Sequence, residues 1–597
     1  MLRVARRVSL GVRIRKFGLG FGLGFALVVT ACEGTQRGFR TGGAGHGGAA
    51  NGGTATNGGA TNSGGERTNG GSPGSGGSDA AAGSDGGSDS DAGADSMGGD
   101  VLSVVSVSPS GNIASTRDEI SVTFNQPVTQ ASANDAVSIE DGRGKVAGSL
   151  LIDGNVVRFR PRGALCFDQN YQLSIAATIQ TANATQLGKA SSFSFKIPDG
   201  LWQSGIAVGP SVVNASLVKL DIDLDGNTLA AWEEGTAPAL NYYDAEKKTW
   251  NGARRPTFTG EVAGESLAVR IRSGHAIALF RAGLAESANG LAWSDTSLKT
   301  VQGSAGYFRY GAVAMASDDT AAFVWSDSYQ TKPTRLWSAF RAAGGAWLPP
   351  TSSFVEPETF RAELHELPDN SFLAVYERRL DQLTPGNVAA RRYTKSKGWS
   401  GEKLIAAGGS PVVAYDSFGG ALMTGYSNEG NIGAPVARYD AATDLWSAMP
   451  DLPKVSDRMS GGLALAGEGT GYVAYVGSNF AGDEHHIGLQ RLVGKKWDAE
   501  EVILPSTSAP ITFGGITADD CGNLMVVWTD TDKRIIYARR YTVGGGWGST
   551  VTLTKTSEFG YPYRTDVVGN AHGELVVPYS ISGTGADELV PSVLRFE

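Results

Sequence analysis

Three cysteines and six histidines are few for a chain of 597 residues. Cys32, Cys166 and Cys521 lie in different segments, so their spacing does not indicate a disulfide framework. Because cysteine often serves as a small hydrophobic residue in protein cores, we interpret Cys166 and Cys521 as free, buried thiols. Most of the stability is then expected to come from packed secondary structure.

Catalytic signatures are also missing. The chain has no Gly-x-Ser-x-Gly turn, no His-Glu-x-x-His pair, no Cys-x-x-Cys pair and no sialidase Asp-box. The net charge is −9, and the one strongly basic stretch is the first 16 residues, which argues against a nucleic-acid partner. We therefore predict that the protein is not an enzyme and that it does not bind nucleic acid.

The first 31 residues have the pattern of an export signal. Basic residues precede residue 17, and residues 17–30 are apolar but too short and too rich in glycine to span a membrane comfortably. The stretch ends in Val29-Thr30-Ala31-Cys32, which resembles the lipobox of bacterial lipoproteins. An ordinary signal peptide cut near Ala31 is the alternative, and it would leave a soluble secreted protein.

The lipobox resemblance implies where in the cell the protein is located. Residues 1–31 would be removed as a signal peptide, and Cys32 would carry acyl chains such as palmitate that anchor the protein in a membrane. Glu33 follows the cysteine, and by the same resemblance the absence of aspartate there favours the cell outer membrane. Residues 32–100 are then a tether of Gly, Ser, Asn, Ala, Thr and Asp, too polar to fold. Such a tether has a typical reach of about 45 Å.

Residues 101–198 change to short alternating strands with turns every few residues. This pattern predicts a small β-sandwich. The segments SVSPSGN, ISVTFNQPV and VVRFRPRGAL, the strand around Tyr171 and the closing FSF resemble the SbsA-type Ig-like domain of bacterial exported proteins. The resemblance implies a spacer, with a binding surface as the alternative.

Tryptophan recurs about every 50 residues in the rest of the chain. One interval is twice as long and leaves room for a missing member near Thr300. The tryptophans that form the series are Trp202, Trp250, Trp347, Trp399, Trp446, Trp497 and Trp547. A period of this length without long helical patterns is typical of stacked β-units.

The repeat predicts a β-propeller over residues 199–597. Each unit has a second strand that ends in an aromatic residue, such as Trp232 or Trp528, which we expect to fill the space between blades. The length fits eight blades, with seven as the alternative. The last unit stops after its third strand, so we expect the N-terminal strand around Trp202 to complete the last blade and close the ring.

The stretch from Tyr439 to Gly462 resembles a kelch repeat. The predicted fold class is therefore all-β, an Ig-like sandwich followed by a propeller.

One candidate metal site follows from carboxylate spacing. Asp221, Asp223 and Asp225 stand at positions 1, 3 and 5 of a calcium-loop pattern with Gly226 at position 6, but the glutamate required at position 12 is replaced by Trp232. A calcium site of another kind stays open, and a hairpin turn is the simpler interpretation.

Two other groups have simple structural interpretations. His485 and His486 are expected at an exposed loop tip, because adjacent strand residues point to opposite faces and would not share a metal. The repeated arginines at Arg391 and Arg539 are expected to be solvated surface, or a grip for acidic sugars.

The predicted function is that of a surface-anchored lipoprotein whose propeller binds an extracellular glycan or protein. Its expected partners are the membrane, through the lipid anchor, and that ligand. One alternative is a hydrolase or lyase acting on polysaccharide, which would require paired carboxylates, or arginines with a tyrosine, at the central channel. Another is a structural subunit of a cell-envelope complex.

Overall fold

The computed structural model describes residues 101–597, with gaps at 214, 235–236, 259–267, 281–282, 298–307, 328–334, 355–358, 380–385, 427–434, 453–457, 468, 479–483, 556–566 and 583–587. The predicted signal peptide, lipidated Cys32 and tether lie outside the described residues. No helix among the described residues has the length and hydropathy needed to cross a membrane.

The first domain is a sandwich of two four-stranded antiparallel sheets, as the alternating pattern predicted. One sheet has the order β1-β2-β6-β5 and the other β4-β3-β7-β8. The strands are β1 (Val104–Ser108), β2 (Ile120–Phe124), β3 (Val137–Asp141), β4 (Gly144–Lys145), β5 (Gly148–Asp153), β6 (Val156–Pro161), β7 (Gln169–Ile175) and β8 (Ser191–Ile197).

Alternation explains why these strands form a sandwich. Along β7, every second residue is buried and the residues between them are mostly exposed, so one face packs into the core and the other meets solvent. A single short helix, α1 (Gln130–Ala136), was not predicted. It begins after Thr129, whose side chain accepts a hydrogen bond from the backbone N–H of Ser132 and so caps the helix.

The rest of the chain forms eight antiparallel sheets, which we number blades 1 to 8 in chain order of their first strands. Blade 1 contains β11 (Ala215–Ile222), β12 (Thr228–Glu234), β13 (Ala237–Asp244) and β14 (Thr249–Trp250), and blade 2 contains β15 (Ala268–Arg272), β16 (His275–Phe280), β17 (Gly283–Ser287) and β18 (Trp293–Ser297). Blade 3 contains β19 (Phe308–Met315), β20 (Ala321–Asp327), β21 (Arg335–Arg341) and β22 (Thr351–Phe354). Blade 4 contains β23 (Thr359–Glu366), β24 (Phe372–Arg378), β25 (Asn387–Thr394), β26 (Gly398–Trp399) and β27 (Lys403–Ala407).

Blades 5 to 7 repeat the same order. Their strands are β28 (Gly409–Tyr415), β29 (Ala421–Tyr426), β30 (Val436–Asp440) and β31 (Leu445–Met449); β32 (Arg458–Leu465), β33 (Gly471–Ser478), β34 (His485–Val493), β35 (Lys496–Trp497) and β36 (Glu501–Thr507); and β37 (Ile511–Ala518), β38 (Leu524–Asp530), β39 (Ile535–Thr542), β40 (Gly546–Trp547) and β41 (Val551–Thr552).

Blade 8 is built from both ends of the domain. It contains β42 (Val568–Gly569), β43 (Leu575–Ser582) and β44 (Glu588–Phe596) from the C-terminal end, with β9 (Trp202–Ala207) and β10 (Val212–Val213) both pairing with β44. In this pairing Trp202 lies opposite Phe596. The prediction that the N-terminal strand completes the last blade is confirmed, and the edge of β44 is thereby covered.

The blades form a closed ring. The first strand of each blade contacts the first strand of the next, and β42 of blade 8 contacts β11 of blade 1. The first strands therefore surround the central channel. The predicted count of eight blades is confirmed, and the alternative of seven is wrong.

Aromatic residues fill the spaces between blades, as predicted. Trp232 is fully buried in a cluster with Val576 and Val593 of blade 8, and Trp528 packs with Ile487 of blade 6. A buried aromatic side chain removes about 150–250 Å² from water, worth on the order of 4 kcal/mol. Second strands such as β38 are buried at every residue because a neighbouring blade covers each of their faces.

The missing member of the tryptophan series is present. Trp293 lies in β18, the fourth strand of blade 2, and pairs with Ser287 at the end of the third strand. Trp250 and Trp547 pair in the same way with the third strands of their blades. The prediction of a gap near Thr300 is therefore wrong, because β16 and β17 of blade 2 span only six and five residues, against seven and eight for β12 and β13 of blade 1, and Trp293 comes correspondingly early.

Candidate functional site

Hairpins that join the first and second strands of the blades carry a recurring turn. In two of them the pattern is Asp-x-x-Gly-Asn, at Asp223–Asn227 and Asp519–Asn523. The aspartate accepts hydrogen bonds from the backbone N–H of the asparagine, at 2.8 Å in both turns, and from its side-chain amide. The glycine has a φ of 78° in one turn and 86° in the other, which favours glycine over other residues. We call the end of the ring that bears these hairpins the hairpin face.

Six ionisable or aromatic side chains meet in the channel near the hairpin face. They come from the ends of four first strands, and we call them the channel cluster: Asp221 in blade 1, Arg270 and Arg272 in blade 2, His365 and Glu366 in blade 4, and Tyr415 in blade 5. These positions are polar within strands that are otherwise largely apolar.

Ion pairs join the cluster across the ring. The guanidinium of Arg270 pairs with the carboxylate of Glu366, and Nη1 of Arg272 lies 3.0 Å from Oε1 of the same glutamate. Nη1 of Arg270 is also 3.5 Å from Oδ1 of Asp221. Because blade 3 separates blades 2 and 4 along the ring, the Arg270–Glu366 pair crosses the channel.

The environment separates the pKa values of the two carboxyl groups. Burial raises the pKa of Asp221 to about 6, although Arg270 and the backbone N–H of Ile271 oppose this effect. Burial also acts to raise the pKa of Glu366, but the charges of Arg270, His365 and Arg272 outweigh it and lower the pKa to about 2. Glu366 is therefore ionised throughout the neutral and mildly acidic range, whereas Asp221 can take up a proton near pH 6.

The other two members are neutral at pH 7. Burial lowers the pKa of His365 to about 4, and burial raises the pKa of Tyr415 well above its usual value. Their rings stack, with centroids 3.7 Å apart and planes inclined by 8°. The stack holds the tyrosine ring against the edge of the channel.

Three buried polar atoms of the cluster have no hydrogen-bond partner among the described residues. They are Nε of Arg270, Oε2 of Glu366 and the hydroxyl oxygen of Tyr415. Glu366 itself is only 8% exposed. Burying such groups unpaired is costly, so the cluster has one donor, one acceptor and one hydroxyl ready for a polar ligand.

The three aspartates of the calcium-loop pattern do not converge. Asp221 belongs to the channel cluster, Asp223 holds the hairpin turn and accepts a hydrogen bond from the backbone N–H of Gly274 at 2.9 Å, and Asp225 is exposed. Burial raises the pKa of Asp223. The hairpin interpretation describes the geometry of residues 223–227, and calcium binding stays a prediction.

The interpretation of Cys166 and Cys521 as free thiols is wrong. Both are buried, at 0% and 3% exposure, but their sulfurs are 1.99 Å apart in a disulfide that joins the sandwich to the hairpin of blade 7. In the described part of the chain, these cysteines and Asp519 are the one group of three potential ligands whose atoms lie within 4.8 Å of one another. The disulfide removes both thiolates as metal ligands.

Further contacts hold the sandwich against the hairpin face. The carboxylate of Asp520 accepts a hydrogen bond from the backbone N–H of Ala164 at 2.8 Å, and Nδ1 of His572 lies 2.8 Å from the carbonyl oxygen of Leu165. Arg117 pairs with Glu574 of blade 8. The ring of Phe167 also packs against Phe596, with centroids 5.8 Å apart, in a buried cluster that both domains share. The sandwich is thus docked on the propeller by charged, polar, apolar and covalent contacts, which a simple spacer does not require.

The histidine pair was placed wrongly. His485 and His486 begin β34, the third strand of blade 6, and do not form an exposed loop tip. His485 is 8% exposed, and Nε2 of His486 lies 3.2 Å from Oε1 of Glu500. As expected from strand alternation, the two imidazoles do not share a partner.

The repeated arginines are structural. Nε of Arg391 donates to the hydroxyl of Tyr376 at 3.2 Å, and Nε of Arg539 donates to the carbonyl of Gly548 at 2.9 Å. The side chain of Arg391 is only 17% exposed. The first contact joins the third strand of blade 4 to its second strand, and the second joins the third strand of blade 7 to the residue after β40. The expectation of solvated surface is therefore wrong for Arg391.

Comparisons with known proteins give one family match. Residues 100–197 match the model of a bacterial Ig-like domain. This segment is an Ig-like domain of the bacterial type. No curated protein matches the full sequence.

Several solved structures are similar to the chain at low identity. The Dos1 propeller is 9% identical over 67% of this chain and 95% of its own, with a TM-score of 0.43. The polysaccharide lyase Uly1 is 10% identical over 66% and 91%, with a TM-score of 0.38. The α-L-arabinofuranosidase ARB93A from Fusarium graminearum is 11% identical over 66% and 98%, with a TM-score of 0.34. No residue roles are transferred from them.

The docking of the Ig-like domain gives a pH-dependent prediction. Burial raises the pKa of Asp519, beside the disulfide, to about 7, against hydrogen bonds from Asn523 and the backbone N–H of Cys521. The folded protein then holds a proton that the unfolded chain releases near the ordinary aspartate pKa of 3.8. Stability from this group is present below pH 3.8 and is lost as the pH rises through about 7.

Asp519→Asn removes this titration. We expect the variant to gain stability relative to the wild type between pH 4 and pH 7, by up to about 1.4 kcal/mol per pH unit. The measurement is the urea midpoint of both proteins across this range. Asp532→Asn, on the exposed surface of the same blade, is the matched control for the loss of a carboxylate. A difference between wild type and Asp519→Asn that stays constant from pH 4 to pH 8 would contradict the prediction.

Proposed function

We propose that the protein is a lipid-anchored outer-membrane protein whose propeller binds an extracellular glycan at the channel cluster. The observation that carries the proposal is the set of buried atoms without partners: Nε of Arg270, Oε2 of Glu366 and the hydroxyl of Tyr415. A sugar hydroxyl both donates and accepts hydrogen bonds, so neighbouring hydroxyls can satisfy a donor and an acceptor held together. Acylation of Cys32 and the tether of residues 32–100 would hold this head away from the membrane surface.

A second candidate function is cleavage of a polysaccharide at the same cluster. The separated pKa values of Asp221, about 6, and Glu366, about 2, favour it, because paired groups with opposite shifts are typical of acid–base catalysis. In a lyase, Arg270 and Arg272 would neutralise the carboxylate of a uronate residue. Neutral His365 would accept the proton from the carbon that bears this carboxylate. In a hydrolase, protonated Asp221 would act as the general acid.

The test is binding of the purified mature protein to a broad glycan array, with the bound glycans also assayed for cleavage. We expect saturable binding, and Tyr415→Phe is expected to weaken it about tenfold, which corresponds to one lost hydrogen bond of about 1.4 kcal/mol. Tyr541→Phe, in the third strand of blade 7, is the matched control and should bind like the wild type.

Three outcomes decide between the candidates. Binding without product supports a binding protein. Product release that is lost in Asp221→Asn supports the enzyme instead. Binding that is unchanged in Tyr415→Phe contradicts the channel cluster as the site. A parallel array with chelator tests the predicted calcium dependence.

A further inference from the structure

A cleft lies between the Ig-like domain and blades 5 and 6, apart from the channel cluster. Its volume is about 670 Å³, within the range of about 300–1,000 Å³ common for ligand sites. The Ig-like domain contributes the turn at residues 141–147 and residues 162–164. The propeller contributes the hairpins at residues 416–420 and 467–469, together with the end of the third strand of blade 5.

Four basic side chains of this cleft form no close ion pair within the described part of the chain. One of them, Arg438, is near Asp416, whose pKa is raised by burial and lowered in part by the Arg438 charge. Lys145 and Arg162 come from the Ig-like domain, and Arg438 and Lys495 come from blades 5 and 6. Arg162 makes one specific contact, with its guanidinium 5.0 Å from the ring centre of Phe418. The two domains thus bring cations of both to one cavity, in a chain whose net charge is −9.

The acidic residues of the cleft are already engaged. Asp141 pairs with Arg143 at 2.5 Å. Asp416 accepts hydrogen bonds from the backbone N–H groups of Phe418 and Gly420, at 3.0 and 2.6 Å.

Asp520 and Asp440 are bonded in the same way. Asp520 accepts bonds from the backbone N–H of Ala164 and the hydroxyl of Ser417, both at 2.8 Å. Asp440 accepts one from the backbone N–H of Ala442 at 2.9 Å. These carboxylates keep their charge, but five basic side chains line the cleft against four carboxylates, so the balance of charge there is positive.

The cleft is also built to keep its shape. A Cβ atom at Gly469, whose φ is +76°, would overlap the guanidinium of Arg438, so this glycine provides the space in which the arginine lies. The disulfide and the Asp520 contacts hold the Ig-like domain against the propeller at one edge of the same cleft. A site whose walls are fixed before binding loses less entropy when a ligand enters.

We propose that this cleft is a second binding site, for a segment of acidic polysaccharide whose carboxylate or sulfate groups pair with Arg162, Arg438 and Lys495. The guanidinium groups suit bidentate contacts with such anions, and the face of Phe418 offers an apolar surface beside them. The Ig-like domain then supplies half of a binding site. This proposal goes beyond the channel cluster and does not depend on it.

The test uses the purified mature protein and three probes: oligogalacturonate, which carries carboxylates, dextran sulfate, and neutral dextran. We expect one or both acidic probes to bind, neutral dextran not to bind, and the affinity to fall steeply at 1 M NaCl, where the Debye length is about 3 Å. Which acidic probe binds more tightly identifies the anion.

Variants locate the site. Arg162→Gln, Arg438→Gln and Lys495→Gln are each expected to weaken binding of the acidic probe about tenfold. Lys247→Gln and Lys533→Gln remove exposed lysines elsewhere and are the matched controls. Circular dichroism and the thermal midpoint check that each variant is folded, and three separate substitutions keep the test valid if one does not fold.

Two results would overturn the proposal. One is unchanged binding in all three cleft variants. The other is binding that depends instead on Arg270 or Tyr415, which would place the acidic ligand at the channel cluster. Loss in Arg438→Gln and Lys495→Gln but not in Arg162→Gln would overturn the part assigned to the Ig-like domain.

Discussion

Replacing Cys166 and Cys521 together with alanine is expected to lower the free energy of unfolding by about 3–5 kcal/mol. The disulfide links positions 355 residues apart, so it removes a large loop-closure entropy from the unfolded chain. It also ties the Ig-like domain to blade 7, and without it that domain is held by noncovalent contacts, such as the Arg117–Glu574 ion pair and the packing of Phe167 against Phe596. We therefore also expect the double variant to unfold in two steps, with the Ig-like domain separating before the propeller.

The measurement is chemical denaturation of the oxidised wild type and the double variant, followed by tryptophan fluorescence. Reduced wild type is the matched comparison, because it lacks the disulfide and keeps both side chains, and it is expected to unfold like the double variant. Thiol labelling in denaturant without reductant gives an independent check. Labelling of Cys166 or Cys521 under those conditions, or equal stability of wild type and double variant, would contradict the prediction.

Much of the propeller could be predicted because its signal is periodic. The aromatic ends of the second strands and the tryptophans of the fourth strands repeat in every blade, since each blade solves the same packing problem against its neighbours. Blade 2 was misread in one detail. Its second and third strands are short, so Trp293 comes earlier than the period predicts.

The docking of the Ig-like domain could not be predicted in the same way. Cys166 and Cys521 each lie in an ordinary local context, and no sequence pattern relates a loop of one domain to a hairpin of another. The hairpin itself was readable, because Asp519-Asp520-Cys521-Gly522-Asn523 matches the turn at Asp223–Asn227. The cysteine in the middle of such a turn, where the turn of blade 1 has Asp225, was the available signal.

The channel cluster depends on ring closure, which only the fold supplies. Arg270 and Glu366 are 96 residues apart and belong to blades that are not neighbours. Asp221 was noticed only for its spacing from Asp223, which concerns the hairpin, although its partner is an arginine of the next blade. Charged residues at the ends of apolar first strands were the signal that sequence reasoning missed.

Glu366→Ala is expected to destabilise the protein by about 3–5 kcal/mol, because it leaves the guanidinium of Arg270 partly buried and without its main partner. Glu501→Ala, at an exposed position of β36 in blade 6, is the matched control and is expected to change stability by less than about 0.5 kcal/mol. The double variant Arg270→Met with Glu366→Leu is expected to recover most of the loss, because the uncompensated charge is gone. Since the pKa of Glu366 is lowered to about 2, its contribution to stability is present above the ordinary glutamate pKa of 4.5 and is lost as the pH falls through about 2. Urea midpoints at pH 7 and pH 3 should therefore differ more for the wild type than for Glu366→Ala. A double variant as unstable as Glu366→Ala would show that the cluster stabilises the ring by something other than this ion pair.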